Sequence, residues 1–184
     1  MKNVYIVLSQ TGTMFSRAIR LYTRDQYNHA SMSFRQDLSV MYSFGRRKRY
    51  NLLDSGFVIE NFAQGMYIFF PASSCCVLEV GVSDAEYKAM HSMINLFCGN
   101  QYEYRYNLLG IFAYMAGIGL TRKNHYFCSQ FVSHILNETD FWNCDPVFTR
   151  PMDFLNIPQS KVIFEGSIQD YMRLYWPPAF IRLA

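Results

Sequence analysis

The period of the apolar positions changes along the chain, and each change marks an element. Val4–Leu8 is a continuous apolar run rich in β-branched residues, which reads as a first strand. Thr11-Gly12-Thr13 is a turn, after which Phe15, Ile19 and Tyr22 recur at helical spacing over about 14–23. His29–Phe34 alternates and predicts a strand, Gln36-Asp37 a turn, and Ser39–Phe44 its returning partner. Residues 45–65 carry Gly and Asn punctuation and a basic cluster, and read as a long loop or insertion. Tyr67–Phe70 and Cys75–Val82 read as further strands, interrupted by Pro71.

The second half turns helical. Ser83-Asp84-Ala85-Glu86 has the Ser-x-x-Glu form in which two side chains satisfy the free N–H groups of a helix start. That helix should run to about Phe97, with Gly99 just past its end. Asn107–Leu120 is a second helical segment, frayed at Gly117-Ile118-Gly119, and Phe127–Asn137 a third. Thr149-Arg150-Pro151 is a turn and Lys161–Phe164 a strand ended by Gly166. The tail at Trp176, Phe180 and Ile181 is too apolar to be left in water and should pack down. The order β-α-β-β-β-β-α-α-α-β predicts an α+β fold with helices on a mostly antiparallel sheet. With no internal repeat or linker, 1–184 reads as one domain.

Composition narrows this picture. Of 184 residues, 51% are apolar and 17% charged, which excludes a disordered chain. The formal charge is only +3 and its basic residues are dispersed, so no nucleic-acid partner is expected. The exception is Arg46-Arg47-Lys48-Arg49, which reads as a solvated turn or, alternatively, as a clamp for an anion. The uncharged stretch Tyr106–Thr121 falls short of the roughly 20 residues a spanning helix needs, so it reads as buried or interfacial. The N-terminal apolar run is short, broken by Ser9 and Gln10, and lacks the form of an export signal. A cytoplasmic location is therefore expected, and it suits free thiols. Five scattered cysteines without a CxxC pair suggest neither a disulfide framework nor a zinc site. No metal or cofactor is expected.

Cys128 is the thiol with a possible chemistry. Positions 128, 131, 132, 135 and 136 form an inward helical stripe, and Cys128 heads it in the first turn. There the unpaired N–H groups and the positive end of the helix favour thiolate, and the same donors suit an oxyanion. A small buried core thiol is the alternative. His29 opens a strand at a polar-to-apolar boundary, where its ring is either a base or simply hydrogen-bonded. His91, His134 and His125 are weaker candidates from their helical or loop positions. Cys75-Cys76 alternates across a strand and reads as packing, and Cys98 and Cys144 have no base near them in sequence. The Tyr102–Tyr106 run either stacks on a substrate or covers the core edge.

The strand-opening Asn28-His29-Ala30-Ser31, the return strand ending Tyr42-Ser43-Phe44-Gly45, and the late Tyr126-Phe127-Cys128-Ser129-Gln130-Phe131-Val132 follow a familiar order. Thr149-Arg150-Pro151-Met152-Asp153-Phe154-Leu155 and Val162-Ile163-Phe164-Glu165-Gly166 complete it. Over roughly 3–166 the chain resembles the circularly permuted papain-like branch of the NlpC-type peptidase superfamily. That branch includes bacterial amidases and is related to the lecithin:retinol acyltransferase group. The resemblance implies a permuted papain-like fold, a sheet or half-barrel carrying helices, in which the His strand precedes the Cys helix. It implies Cys128 as nucleophile and His29 as base. It places Ser43 where a third polar residue orients the imidazole; a carboxylate would be the stronger group, and Glu60, in the 45–65 segment, is the other candidate. Tyr27, two residues before the histidine, is a candidate for substrate binding.

The leading expectation is thus a thiol hydrolase that cleaves the amide of a small peptide or amino-acid amide, cell-wall-derived fragments included. A non-catalytic ligand-binding module on the same fold is the alternative. A membrane-associated acyltransferase touching the bilayer through Asn107–Leu120 and the 46–49 cluster is the least favoured, and membrane contact is not expected.

Overall fold

The computed structural model describes residues 1–10, 23–48, 51–70 and 72–176. The turn at Thr11–Thr13, nearly all of the 14–23 helix, Arg49, Pro71 and the tail beyond Trp176 lie outside the described residues.

Eight strands form one open sheet: β1 Lys2–Gln10, β2 His29–Ser33, β3 Met41–Lys48, β4 Asn51–Glu60, β5 Ser74–Val82, β6 Arg105–Tyr106, β7 His125–Tyr126 and β8 Ser160–Ser167. Their order is β7-β6-β4-β3-β2-β1-β5-β8, and every pairing is antiparallel except β6 with β7. Five described helices accompany it: α1 Met66–Phe69, α2 Asp84–Gly99, α3 Leu108–Met115, α4 Cys128–Leu136 and α5 Ile168–Tyr175. The molecule is therefore α+β, with helices on both faces of a mostly antiparallel sheet.

The unbroken apolar run at the N-terminus has a direct cause. β1 is central and covered on both sides, so it needs no polar face. Val4, Ile6 and Leu8 pack with Met90 and Ile94 of α2 and Phe131 and Ile135 of α4. Tyr5 and Val7 point the other way, to Phe62, Tyr67, Ile168 and Tyr171. Cys75 and Cys76 divide between these same two layers, as strand alternation requires. The predicted start of α2 is present in both halves: Glu86 N–H donates to Ser83 Oγ at 3.2 Å, and Ser83 N–H to Glu86 Oε2 at 2.7 Å.

Most of the segment 45–65 is strand, and not a loop. β3 continues to Lys48 and β4 returns from Asn51, paired through Ser43↔Val58, Gly45↔Gly56 and Arg46↔Ser55. Gly56 is a place of close approach instead of a break. A Cβ on Gly56 would lie 2.2 Å from the Tyr104 carbonyl oxygen and 2.6 Å from Arg47 Nη2. That space admits Arg47, whose Nη2 donates to the Tyr104 carbonyl at 2.8 Å and also bonds the Gln101 carbonyl. Arg47 thus leaves the solvated cluster and ties the hairpin to the chain entering β6. Gly56→Ala should cost about 1–3 kcal/mol, because the backbone oxygen cannot step aside as a side chain would. Thermal unfolding followed by circular dichroism should show a midpoint several degrees lower, roughly 2–4 °C per kcal/mol.

Other boundaries also moved. Tyr67–Phe70 belongs to a helical turn, α1, entered at Gly65 with φ 63°; a four-residue apolar run does not distinguish strand from helix. Gly99 lies inside α2, which ends at Asn100, whose N–H and Nδ2 both donate to the Leu96 carbonyl at 3.2 and 3.1 Å. The helix expected over Asn107–Leu120 stops at Met115, and the chain leaves it through Gly117 at φ 74°. Gly166 pairs with Cys75 inside β8 and does not end it. α5 was not foreseen, although Ile168, Tyr171, Met172 and Tyr175 keep helical spacing and Ser167 Oγ accepts from Asp170 N–H.

Candidate active site

Two strand ends and one helix start meet in a single place. Cys128 is the first residue of α4, whose nine residues are buried except His134. The helix is fixed by its own polar side chains. Gln130 Oε1 accepts from Phe127 N–H at 3.3 Å, and Ser129 Oγ donates to the Thr149 carbonyl at 2.7 Å. Ser133 Oγ accepts from Trp142 Nε1–H at 3.0 Å and from Thr149 Oγ1 at 3.1 Å. Buried serines on a helix otherwise rich in apolar residues thus hold it against the 142–149 segment.

His29 opens β2 opposite Ser9 of β1, and its ring is hydrogen-bonded to the Cys128 sulfur. Its Nε2 lies 3.0 Å from Glu60 Oε1. The two side chains are only 20% and 19% exposed, which keeps water from screening the pair. Glu60 ends β4, and its Oε1 also accepts from Ser31 Oγ at 2.5 Å and Tyr67 OH at 3.4 Å. Tyr67 OH is in turn 3.1 Å from Ser9 Oγ. His29, Ser31, Glu60 and Tyr67 therefore form a connected polar chain between strands and α1, ending at the thiol.

The electrostatics follow from this chain. Burial opposes the charged imidazole, but the Glu60 carboxylate and the hydrogen bonds to Cys128 and Glu60 outweigh it and hold His29 well above its ordinary value. Burial likewise opposes the Cys128 thiolate, yet it is held below an ordinary thiol by the His29 bond and charge and by the N–H groups of Ala30 and Ser129. Glu60 is held below the usual carboxylate range against its burial, by the His29 charge and the donors from His29, Ser31 and Tyr67. These shifts favour the thiolate at Cys128 and the imidazolium at His29. The other thiols differ: burial pushes Cys75 up to about 12 and Cys76 up to about 11, and raises Cys98.

Of the residues singled out from sequence, Cys128 and His29 are brought together. Ser43 also reaches the ring: its Oγ is 3.4 Å from His29 Nε2, and it donates to the Ala30 carbonyl at 2.7 Å. Glu60 makes the shorter contact to the same nitrogen, 3.0 Å, from the end of a strand. Tyr27 is not at the thiol. It is 2% exposed in the core, and its hydroxyl donates to Glu165 Oε1 at 3.0 Å on β8. Burial and that carboxylate raise its pKa.

Tyr106 went unrecognised as a site residue. Its hydroxyl is hydrogen-bonded to the Cys128 sulfur, and burial and the adjacent thiolate hold its pKa well above the ordinary value, with Arg46 acting in the opposite sense. The short parallel pairing of β6 with β7 puts Tyr106 beside Tyr126, two residues before the cysteine. Two-residue strands have no periodicity to read, so only the register could reveal it. Among the described residues, no group of three or more His, Cys, Asp or Glu is placed to hold a metal ion.

Comparison with known proteins adds no name to this geometry: no family model, curated protein or solved structure matches the chain.

Proposed function

We propose that the chain is a cysteine hydrolase of the permuted papain-like type, cleaving the amide bond of a small peptide or amino-acid amide. The observation that carries this reading is the buried Cys128–His29–Glu60 chain, in which a thiolate at a helix start faces an imidazolium braced by a carboxylate.

In this mechanism the Cys128 sulfur attacks the carbonyl carbon, and the carbonyl electron pair moves to oxygen. The Cys128 N–H, free at the helix start, stabilises that oxyanion. Tyr106 OH, relieved of the thiolate once sulfur is acylated, is a second donor. Collapse breaks the C–N bond as the His29 imidazolium protonates the leaving amine. Neutral His29 then takes a proton from water, the hydroxide attacks the thioester, and the acid leaves as Cys128 thiolate re-forms beside imidazolium. Glu60 fixes the ring and stabilises its charge without accepting its proton.

A ligand-holding module with an inert thiol is the competing reading, and the pH dependence of alkylation separates the two. Cys144 is exposed, so the test protein carries Cys144→Ser. Iodoacetamide should label Cys128 at pH 6, where an ordinary thiol of pKa about 8.5 is almost wholly protonated. The rate should climb through the lowered pKa of Cys128 and reach its plateau before the ordinary thiol range. Cys128→Ala should remove this fast phase. A rate that climbs only near pH 8–9, or a fast phase that survives Cys128→Ala, overturns the reading.

A further inference from the structure

The helix at the foot of the site has its apolar side in the open. α3 is uncharged throughout, and Leu109 and Phe112, one turn apart, are each 57% exposed. Ile118, just past the helix, is 59% exposed. Phe148 of the facing 3-10 turn packs against Tyr114, on the other side of α3 from Phe112, and is not part of this surface. Three large exposed apolar side chains thus follow one another along 109–118, whereas exposed ones are ordinarily scattered singly.

Between Glu103 and Glu138 the chain contains no acidic residue, while Arg105, Arg122 and Lys123 are all basic. The backbone brings these three to the N-terminal end of α3. Arg105 N–H donates to the Asn124 carbonyl at 2.8 Å, His125 N–H to the Arg122 carbonyl at 3.1 Å, and Asn107 Nδ2 to the Leu120 carbonyl at 3.1 Å. Arg105 and Lys123 are exposed.

We infer that this face is a docking surface for an anionic lipid bilayer, with Leu109, Phe112 and Ile118 entering the interface and Arg105, Arg122 and Lys123 meeting lipid headgroups. An apolar strip rimmed by cations is the pattern that lies in a membrane surface, apolar contact and headgroup attraction acting together. A second copy of the chain fits less well, since a two-fold contact would set the same cations against each other. Asn107, which caps α3, is the residue after Tyr106, so docking here brings Cys128 to the lipid boundary. Among the described residues no helix is long and apolar enough to cross a membrane. This inference does not depend on thiol chemistry.

The test is co-sedimentation with vesicles of phosphatidylcholine alone and of phosphatidylcholine with phosphatidylserine, at 0.1 M salt. The protein should pellet with the anionic vesicles and stay in solution with the neutral ones. Arg122→Glu with Lys123→Glu should weaken binding by about tenfold or more. Leu109→Ser with Phe112→Ser should abolish it while the circular-dichroism spectrum and unfolding midpoint are unchanged, which reports an intact fold. Absence of pelleting with anionic vesicles overturns the proposal. So does a sedimentation-equilibrium dimer that Leu109→Ser with Phe112→Ser dissociates, since the patch would then be covered by a second copy.

Discussion

A Cys128→Ser chain is expected to fold normally and to lose turnover of an activated ester such as p-nitrophenyl acetate by about 10⁴-fold or more. Serine keeps the size of the side chain and its acceptor role toward Tyr106 and the N–H groups of Ala30 and Ser129. It does not keep the ionisation. The buried imidazolium lowers the thiol toward thiolate, whereas a hydroxyl stays protonated throughout the working range. The nucleophile is therefore removed and the packing retained, and the unfolding midpoint should move by no more than a few degrees. A residual rate within tenfold of the unmodified chain would place the reacting group elsewhere.

Glu60→Gln is the second large effect, with about 10²–10⁴-fold loss of the same turnover and a changed pH profile. The sign follows from the two shifts. Activity needs thiolate and imidazolium together, so it rises through the lowered pKa of Cys128 and falls through the raised pKa of His29. The amide retains the shape of Glu60 but not its charge, which is the leading influence holding the imidazolium against burial. The alkaline limb must move to lower pH. With less imidazolium beside it the thiol titrates higher, so the acid limb moves up and the bell narrows from both sides. The amide also presents donors to Ser31 and Tyr67, which now donate to Oε1. A profile of unchanged width with only a lower maximum would mean that Glu60 shapes the site without setting its charges.

The pH-rate comparison also separates Glu60 from Ser43. Ser43 touches the ring but gives its proton to the Ala30 carbonyl, so its loss should leave both limbs nearly where they were.

The pair itself was legible in the sequence because each member sits at an element boundary that local patterning marks. The stripe Cys128, Phe131, Val132, Ile135, Leu136 fixes both the helix and the inward direction of its first residue, and the alternation after His29 fixes a strand start. Glu60 was visible only as a possibility. Gly45, Arg46, Lys48 and Gly56 read as interruptions, whereas in the fold they are paired strand positions, and Arg47 and the Tyr104 carbonyl press on Gly56. Tyr27 shows the converse error. Nearness in sequence to His29 suggested the site, but its hydroxyl is committed to Glu165, which lies on a strand far along the chain.

By itself, then, the sequence determined β1, β2, the capped start of α2, the helix headed by Cys128 and the two residues at the centre of the candidate site. These rest on interactions within a few residues, or on burial patterns that repeat along one element. The tertiary structure alone decided which carboxylate holds His29, which hydroxyl faces the sulfur and which apolar side chains stay outside. Each depends on strand register and on the packing of segments distant in the chain, where a shift of one residue turns a side chain to the opposite face.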